Sequence, residues 1–160
     1  MKTTSKTKLN FSLYLFSLII VVLGLVKGQL KGQLPLMLFT RQTVLLIAVY
    51  FFITFFMEKT NKYFSFIALI NTIVTMVLYP IGQNGFFNST PGFYIVVVVL
   101  EHYILPPLFI IYYFLIDKTA LKLKQFYLGL IYPFHYFLII MFFGRISHNY
   151  PYNALKKDSR

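Results

Sequence analysis

The sequence predicts an all-α integral membrane protein, a bundle of five transmembrane helices. Composition and pattern both say so. Hydrophobic residues make up 58% of the 160-residue chain and charged residues 12%, against about 45–50% and about 25% in soluble domains. Mean hydropathy is +0.71. So little charge cannot cover a globule in water, which excludes a soluble enzyme or binding module. Five apolar runs, each near the roughly 20 residues that cross a hydrocarbon core of about 30 Å, are separated by short polar stretches. Lipid forces the backbone to bond internally, so the runs are helices or barrel strands. Continuous runs such as Val96-Val97-Val98-Val99-Leu100 lack the alternation a barrel requires. Cysteine is absent, which excludes disulfides, thiolate zinc sites and a cysteine nucleophile. The length is that of one membrane domain.

The first span, Asn10 to Val26, follows the basic residues Lys2, Lys6 and Lys8. A basic start before an apolar run also describes a signal peptide, but no small-x-small cleavage site follows Val26, so a retained span is expected. Lys27-Gly28-Gln29-Leu30 and its repeat Lys31-Gly32-Gln33-Leu34 read as a flexible hairpin. The second span runs from Pro35, well suited to a first helical position, to Met57, and Glu58 to Lys62 form a charged turn. The third runs from Tyr63 to Tyr79, with Pro80 as its stop. An uncharged, glycine-containing loop leads to the fourth span, Phe93 to Ile116, which Pro106-Pro107 interrupts. After a charged turn from Asp117 to Lys124 comes the fifth, Gln125 to Phe143, then a polar basic tail from Gly144 to Arg160.

Net charge is +11, from 15 Lys and Arg against 4 Asp and Glu. Lying between apolar runs, this surplus reads as contact with the anionic headgroups of a lipid bilayer and not with nucleic acid. Tryptophan is missing, so tyrosine and phenylalanine must supply any interfacial belt. With the N-terminus inside, the inner side holds Lys2, Lys6, Lys8, Lys59, Lys62, Lys118, Lys122 and Lys124, and the outer side Lys27, Lys31, Arg145, Lys156, Lys157 and Arg160. The weight of the first segment and the uncharged third loop favour a cell-membrane protein with its N-terminus in and C-terminus out.

Polar groups at membrane depth are costly, so each is a functional candidate. They are Thr40, Arg41, Gln42 and Thr43 on the second span, Asn71, Thr72 and Thr75 on the third, Glu101 and His102 on the fourth, and His135 on the fifth. Spans two and four run in the same direction, and at about 1.5 Å per residue Thr40 and His102 fall in the same half of the membrane. A threonine hydroxyl is a poor nucleophile until a base takes its proton, and histidine is the usual base. From spacing alone, Thr40 fits a structural hydroxyl better than a nucleophile, because membrane threonines commonly bond their own backbone or join helices. Glu101 points away from His102, being about 100° around the helix, and is expected to pair with Arg41, which relieves the cost of burying both charges. His135, His102 and Glu101 lack the i, i+4 spacing of a metal pair, so neither metal nor cofactor is expected. Asn71 reads as interhelical glue, Pro106-Pro107 and Pro133 as kinks, and Asn88-Ser89-Thr90 as a glycosylation pattern short enough to arise by chance.

Four words occur in order: Phe39-Thr40-Arg41-Gln42-Thr43, Glu101-His102-Tyr103-Ile104-Leu105-Pro106, Leu130-Ile131-Tyr132-Pro133 and Tyr150-Pro151-Tyr152. Together they resemble the bacterial Pr-six-Pr membrane family, whose words are approximately F-T-x-x-S-N, L-H-Y-x-x-P, Y-P and Y-P-Y-x-F. That family looks related to the animal androgen-induced membrane threonine hydrolases, which cleave fatty acid esters of hydroxy fatty acids. The likeness covers the chain from the second span onward. It implies Thr40 as nucleophile and His102 as base, and puts the catalytic reading of that pair on an even footing with the structural one. Several positions depart from the pattern: Val44 stands at the asparagine of the first word, Thr43 at its serine, and Glu101 and His135 at usually apolar positions. The family continues into a sixth span after its Y-P-Y word, whereas this sequence stops at Arg160.

Two functional classes follow. One is an intramembrane hydrolase acting on a lipid ester substrate, with Thr40 and His102 catalytic and with Arg41, Gln42, Glu101, Tyr103 and His135 lining the binding site. The sequence assigns no oxyanion donor, though Gln42 and Tyr103 are within reach of an oxyanion. The other is a non-enzymatic protein: a transporter subunit, a lipid-binding scaffold, or a subunit whose exposed flank takes a partner helix or a second copy of itself.

Overall fold

The computed structural model of the chain describes residues 3–32, 35–57, 61–82, 92–117 and 125–147. The turns and loop at 58–60, 83–91 and 118–124, the Asn88-Ser89-Thr90 pattern and the tail with Tyr150-Pro151-Tyr152 lie outside these residues. Five helices are long and apolar enough to span a bilayer. They are α1 (Thr3–Leu30), α2 (Phe39–Phe56), α3 (Lys62–Gly82), α4 (Phe93–Asp117) and α5 (Phe126–Ser147). The all-α bundle is the architecture the composition requires.

Local chemistry sets the helix ends. At the end of α1, the Gly32 N–H donates to the Gln29 carbonyl at 3.0 Å, and Gly32 takes φ +63°, a left-handed stop that a side chain would oppose. The 3-10 turn Pro35–Met37 leads into α2, with the Arg41 N–H donating to the Leu38 carbonyl at 3.1 Å. Asn61 opens α3, its Oδ1 accepting from the Tyr63 N–H at 2.8 Å, as capping asparagines do. Pro80 does not end α3, which continues to Gly82. In membranes the carbonyl a proline leaves without a donor can be satisfied by neighbouring groups, so the helix persists.

Within α4 the turn Leu100–Ile104 is a π-helix, and the Leu105 N–H donates to the carbonyl of Leu100, five residues back. Pro106 and Pro107 follow directly and carry no N–H for the carbonyls of His102 and Tyr103. The widened turn accommodates that loss. It also sets Glu101 and His102 on a segment whose side chains are displaced from regular α-helical positions, as π-turns at functional sites often do.

Side-chain pairs fix the topology. Phe11 meets Phe55 at 5.0 Å and Tyr14 meets Phe52 at 5.6 Å between ring centroids, so α1 and α2 are antiparallel. Tyr50 faces Phe64 while Thr43 bonds Thr75, which makes α2 and α3 antiparallel. Tyr79 stacks on His102 across α3 and α4. Phe66 meets Phe126, and Gly129 lies against Ile70, so α5 runs parallel to α3. The core is formed by Ile20, Val44, Ile47, Tyr50, Phe51, Leu69, Leu105 and Phe109, with edge-on contacts such as Tyr50–Phe109 at 5.0 Å. Helix α5 is the least enclosed, burying only Gly129, Ile140 and Gly144.

Candidate functional site

The ends of α1 and α3 and the starts of α2 and α4 meet at one pole of the bundle, and buried polar residues gather there. His102 is at its centre. Its ring lies 3.6 Å from that of Tyr79, inclined by 25°. A ring nitrogen also bonds the backbone of Thr75. Thr75 and Tyr79 are one turn apart on α3, so a single helix face grips the imidazole from two sides. Thr75 Oγ1 in turn donates to Thr43 Oγ1 at 3.0 Å, linking α2, α3 and α4 in one chain of contacts. The Nδ1 of His102 is buried and has no hydrogen-bond partner among the described residues. A ring nitrogen bonded to a backbone carbonyl carries a proton, so in the neutral ring the lone pair is on the other nitrogen. His102 is thus held through its other ring nitrogen, with Nδ1 unpartnered among the described residues.

Beside it, charge converges from three helices. Lys27 Nζ is 3.0 Å from Glu101 Oε2, with side-chain exposures of 10% and 3%. The Arg41 guanidinium lies against Gly28, and Glu101 Oε1 lies against Gly24. A Cβ at Gly28 would be 2.8 Å from Arg41 Cζ, and one at Gly24 would collide with the Glu101 carboxylate. These two glycines, one turn apart on α1, form the recess that admits both side chains. Two sequence expectations change here. The carboxylate of Glu101 is paired with Lys27, with Arg41 alongside, where Arg41 was the expected partner. The first Lys-Gly-Gln-Leu repeat is the last turn of α1 and not a hairpin, which brings Lys27 into the bundle.

Thr40 is half-buried at the second position of α2. At about 100° per residue it falls about 20° from Ile47 and 60° from Thr43, both buried, and so lies on the inward face of the helix. Thr43 is one turn deeper and is the hydroxyl that reaches His102 through Thr75. Among the described residues no hydrogen bond joins Thr40 to His102.

The remaining expected site residues are dispersed. Gln42 faces α5: its Nε2 donates to the Leu36 carbonyl at 2.6 Å, and its Oε1 accepts from the Tyr132 hydroxyl at 2.5 Å. Phe39 joins the same seam, 5.0 Å from the Tyr136 ring. Tyr103 is half-buried and sits edge-on to Tyr79 at 6.2 Å. His135 is exposed on α5, its Nδ1 2.7 Å from the Ile131 carbonyl of its own helix. No group of three or more His, Cys, Asp or Glu side chains converges among the described residues. Asn71 donates to the Ile67 carbonyl of its own helix at 2.7 Å, and its Oδ1 is buried without a partner among the described residues. It is therefore not the interhelical tie its polarity suggested.

Sequence reasoning missed Lys27 and Tyr79. For Lys27 a signal existed: glycines at 24 and 28 make room on the same α1 face, and Glu101 is a buried acid in need of a cation. Tyr79 gave none, since a tyrosine near a helix end reads first as an interfacial anchor. A second polar contact, at the opposite pole, also went unread. The buried Tyr112 hydroxyl donates to Asn10 Oδ1 at 2.7 Å, tying α4 to α1. Comparison with known protein families, curated proteins and solved structures finds no match.

Proposed function

We propose that this multi-pass membrane protein hydrolyses lipid esters within the bilayer, with Thr40 as nucleophile and His102 as general base. The observation that carries the reading is a rigidly held, buried imidazole on α4, its Nδ1 without a partner among the described residues, at the same pole as a threonine on the inward face of α2. The order of the four sequence words supports it.

In the proposed step, Thr40 Oγ1 bonds to the ester carbonyl carbon and its proton passes to His102 Nδ1. Collapse of the tetrahedral intermediate breaks the bond to the alcohol oxygen, which leaves with that proton. Water, deprotonated by His102, then attacks the acyl-threonine; the bond between the acyl carbon and Thr40 Oγ1 breaks, Oγ1 takes the proton back from His102, and the fatty acid is released. Lys27 and Arg41 supply the positive potential that favours the oxyanion. Gln42 is less suited to that role, because its carboxamide is engaged at the α5 seam. Apo sites commonly hold nucleophile and base apart until substrate arrives.

Turnover of lipid esters and labelling by a fluorophosphonate probe are measured on purified protein as wild type, Thr40→Ala and His102→Gln. Removing a triad-type residue typically costs several orders of magnitude, so loss of both signals in both variants is the expected result. Equal labelling and turnover in wild type and Thr40→Ala would end the reading.

A second reading, a non-catalytic transporter subunit, lipid-binding scaffold or partner of a membrane complex, is favoured by the buried Lys27–Glu101–Arg41 cluster. Charge at depth marks binding and transport paths as often as chemistry. It requires Thr40→Val to be functionally silent, and a deletion phenotype that Thr40→Val or His102→Ala reproduces at normal expression contradicts it. For orientation we adopt N-terminus inside and C-terminus outside, which maleimide labelling of a Ser5→Cys variant in intact cells checks. Labelling without permeabilisation reverses the assignment.

A further inference from the structure

At the pole opposite His102, four helices bring oxygen-bearing side chains together: Asn10 of α1, Tyr50 of α2, Ser65 of α3, and Tyr112 and Asp117 of α4. The first four are buried, Tyr50 and Ser65 completely. The last turn of α4, Tyr113–Asp117, is another π-helix, a form that recurs at functional sites. The Tyr50 hydroxyl is flanked by Asp117 and Ser65 and by Tyr112, whose ring centroid is 6.0 Å from its own. It completes a well-aligned hydrogen bond with none of them. Asp117 Oδ2 is likewise buried with no hydrogen-bond partner, and no cation pairs with Asp117, among the described residues.

The cluster is rich in lone pairs and short of protons. Ser65 Oγ donates its proton to the Asn61 carbonyl at 3.3 Å, and the Tyr112 hydroxyl donates to Asn10 Oδ1 at 2.7 Å. Both oxygens therefore offer only lone pairs to their other neighbours. Against these and the carboxylate, Tyr50 brings a single uncommitted hydroxyl proton. A water molecule supplies protons but no charge, and a carboxylate oxygen turned away from water without a countercharge is costly. One positive charge ringed by oxygens meets both needs, as hard cations do. Access is short. Asp117 is half-buried at the very end of α4, and Ser65 is three residues into α3. At about 1.5 Å per residue the cluster begins about 5 Å below the helix ends, within reach of an ion from the membrane surface.

We propose that this cluster binds a monovalent alkali cation. The Asp117 carboxylate supplies the countercharge, and the oxygens of Tyr50, Ser65 and Tyr112 are neutral ligands. A single carboxylate balances one charge, whereas a divalent ion would keep a surplus. Bound there, the ion ties the start of α3 to the ends of α2 and α4. The site is remote from Thr40 and His102 and its occupancy is read without turnover, so its failure leaves the hydrolase reading untouched.

The test is scintillation-proximity binding of radioactive sodium to the purified full chain in dodecyl maltoside, with unlabelled sodium, potassium, calcium and choline chlorides as competitors at equal ionic strength. Saturable binding that sodium or potassium displaces and choline does not is the expected result. Thermal unfolding followed by circular dichroism is the second readout. At about ten times the dissociation constant, the midpoint is expected to rise by about 3–6 °C over that in choline chloride. Asp117→Asn removes the charge at equal volume and loses binding, and Tyr50→Phe, which keeps the ring, weakens it about tenfold. No saturable sodium binding by wild type, with equal midpoints in sodium, potassium and choline, overturns the proposal and depends on no variant. Undiminished binding by Asp117→Asn protein with a wild-type circular dichroism spectrum overturns the assignment to this cluster. Displacement of the label by calcium at lower concentration than by sodium overturns the single charge.

Discussion

Glu101→Gln is the most informative single change. It keeps the side-chain volume and removes the carboxylate that the described residues place in the cluster, leaving Lys27 and Arg41 as neighbouring buried cations. Removing one partner of a buried pair typically costs about 3–5 kcal/mol, because the other charge is stranded. Lys27 relieves part of this: it is near the end of α1 and its side chain keeps 10% exposure, so its ammonium can swing toward the headgroups. The expectation is therefore the lower end, about 3 kcal/mol. Against a total stability of about 5–15 kcal/mol, that is a large fraction. Combining Glu101→Gln with Lys27→Met removes both charges of the pair, and replacing a buried pair by uncharged groups of similar volume is often far less costly than removing one partner. The double variant should recover all but about 1 kcal/mol, so the coupling in a double-mutant cycle is about 2 kcal/mol plus whatever Lys27→Met costs alone. Equilibrium unfolding by sodium dodecyl sulfate in mixed micelles, followed by far-ultraviolet circular dichroism, measures all four proteins. A cost below about 1 kcal/mol for Glu101→Gln, or a double variant no better than the single, would refute the placement of Lys27 inside the bundle.

Other perturbations probe other seams. At Gly129 an added Cβ would meet Ile70 Cβ at 2.9 Å and Phe66 Cε1 at 3.1 Å, so Gly129→Ala should destabilise the α3–α5 contact by about 1–3 kcal/mol. The same unfolding titration reads it, and an unchanged midpoint would mean the helices are not in contact there. Thr75→Val removes the hydroxyl bond to Thr43 but leaves the Thr75 backbone that holds His102. The loss should be about 0.6 kcal/mol, at most about 1.7, as for other interhelical bonds in membranes. If Thr75→Val cost as much as Glu101→Gln, the ranking of these two contacts would be wrong.

Much of the fold was legible because it follows from solvent and length. Five apolar runs with little charge leave the chain no soluble alternative, and alternating directions bring Thr40, Arg41, Glu101 and His102 to one pole. What stayed hidden depends on side-chain direction, which hydropathy does not encode. Lys27 adjoins a polar repeat and reads as a loop, yet α1 extends 28 residues and its glycines turn that lysine inward. Gln42 follows Arg41 in sequence, but the 100° step between neighbours sends it to α5 and Arg41 to α1. Asn71 and Thr43 are both polar and buried, and nothing in their spacing tells that one bonds its own helix and the other bonds α3. Pro80 was expected to end α3 by a rule that holds in water and weakens in lipid.

The account rests on α2, α3 and α4 meeting where Thr43 touches Thr75 and Thr75 holds His102. The chain contains no cysteine, so a Thr43→Cys/Thr75→Cys pair introduced into it reports on that junction alone. Their hydroxyl oxygens are 3.0 Å apart, so sulfurs in those places close to the roughly 2.05 Å of an S–S bond with a shift of about 1 Å. Mild oxidation in native membranes followed by proteolysis should yield one linked peptide containing both positions, in near-stoichiometric amount and within one chain. Free thiols after oxidation, or links formed only between chains, would contradict the arrangement and the site built on it.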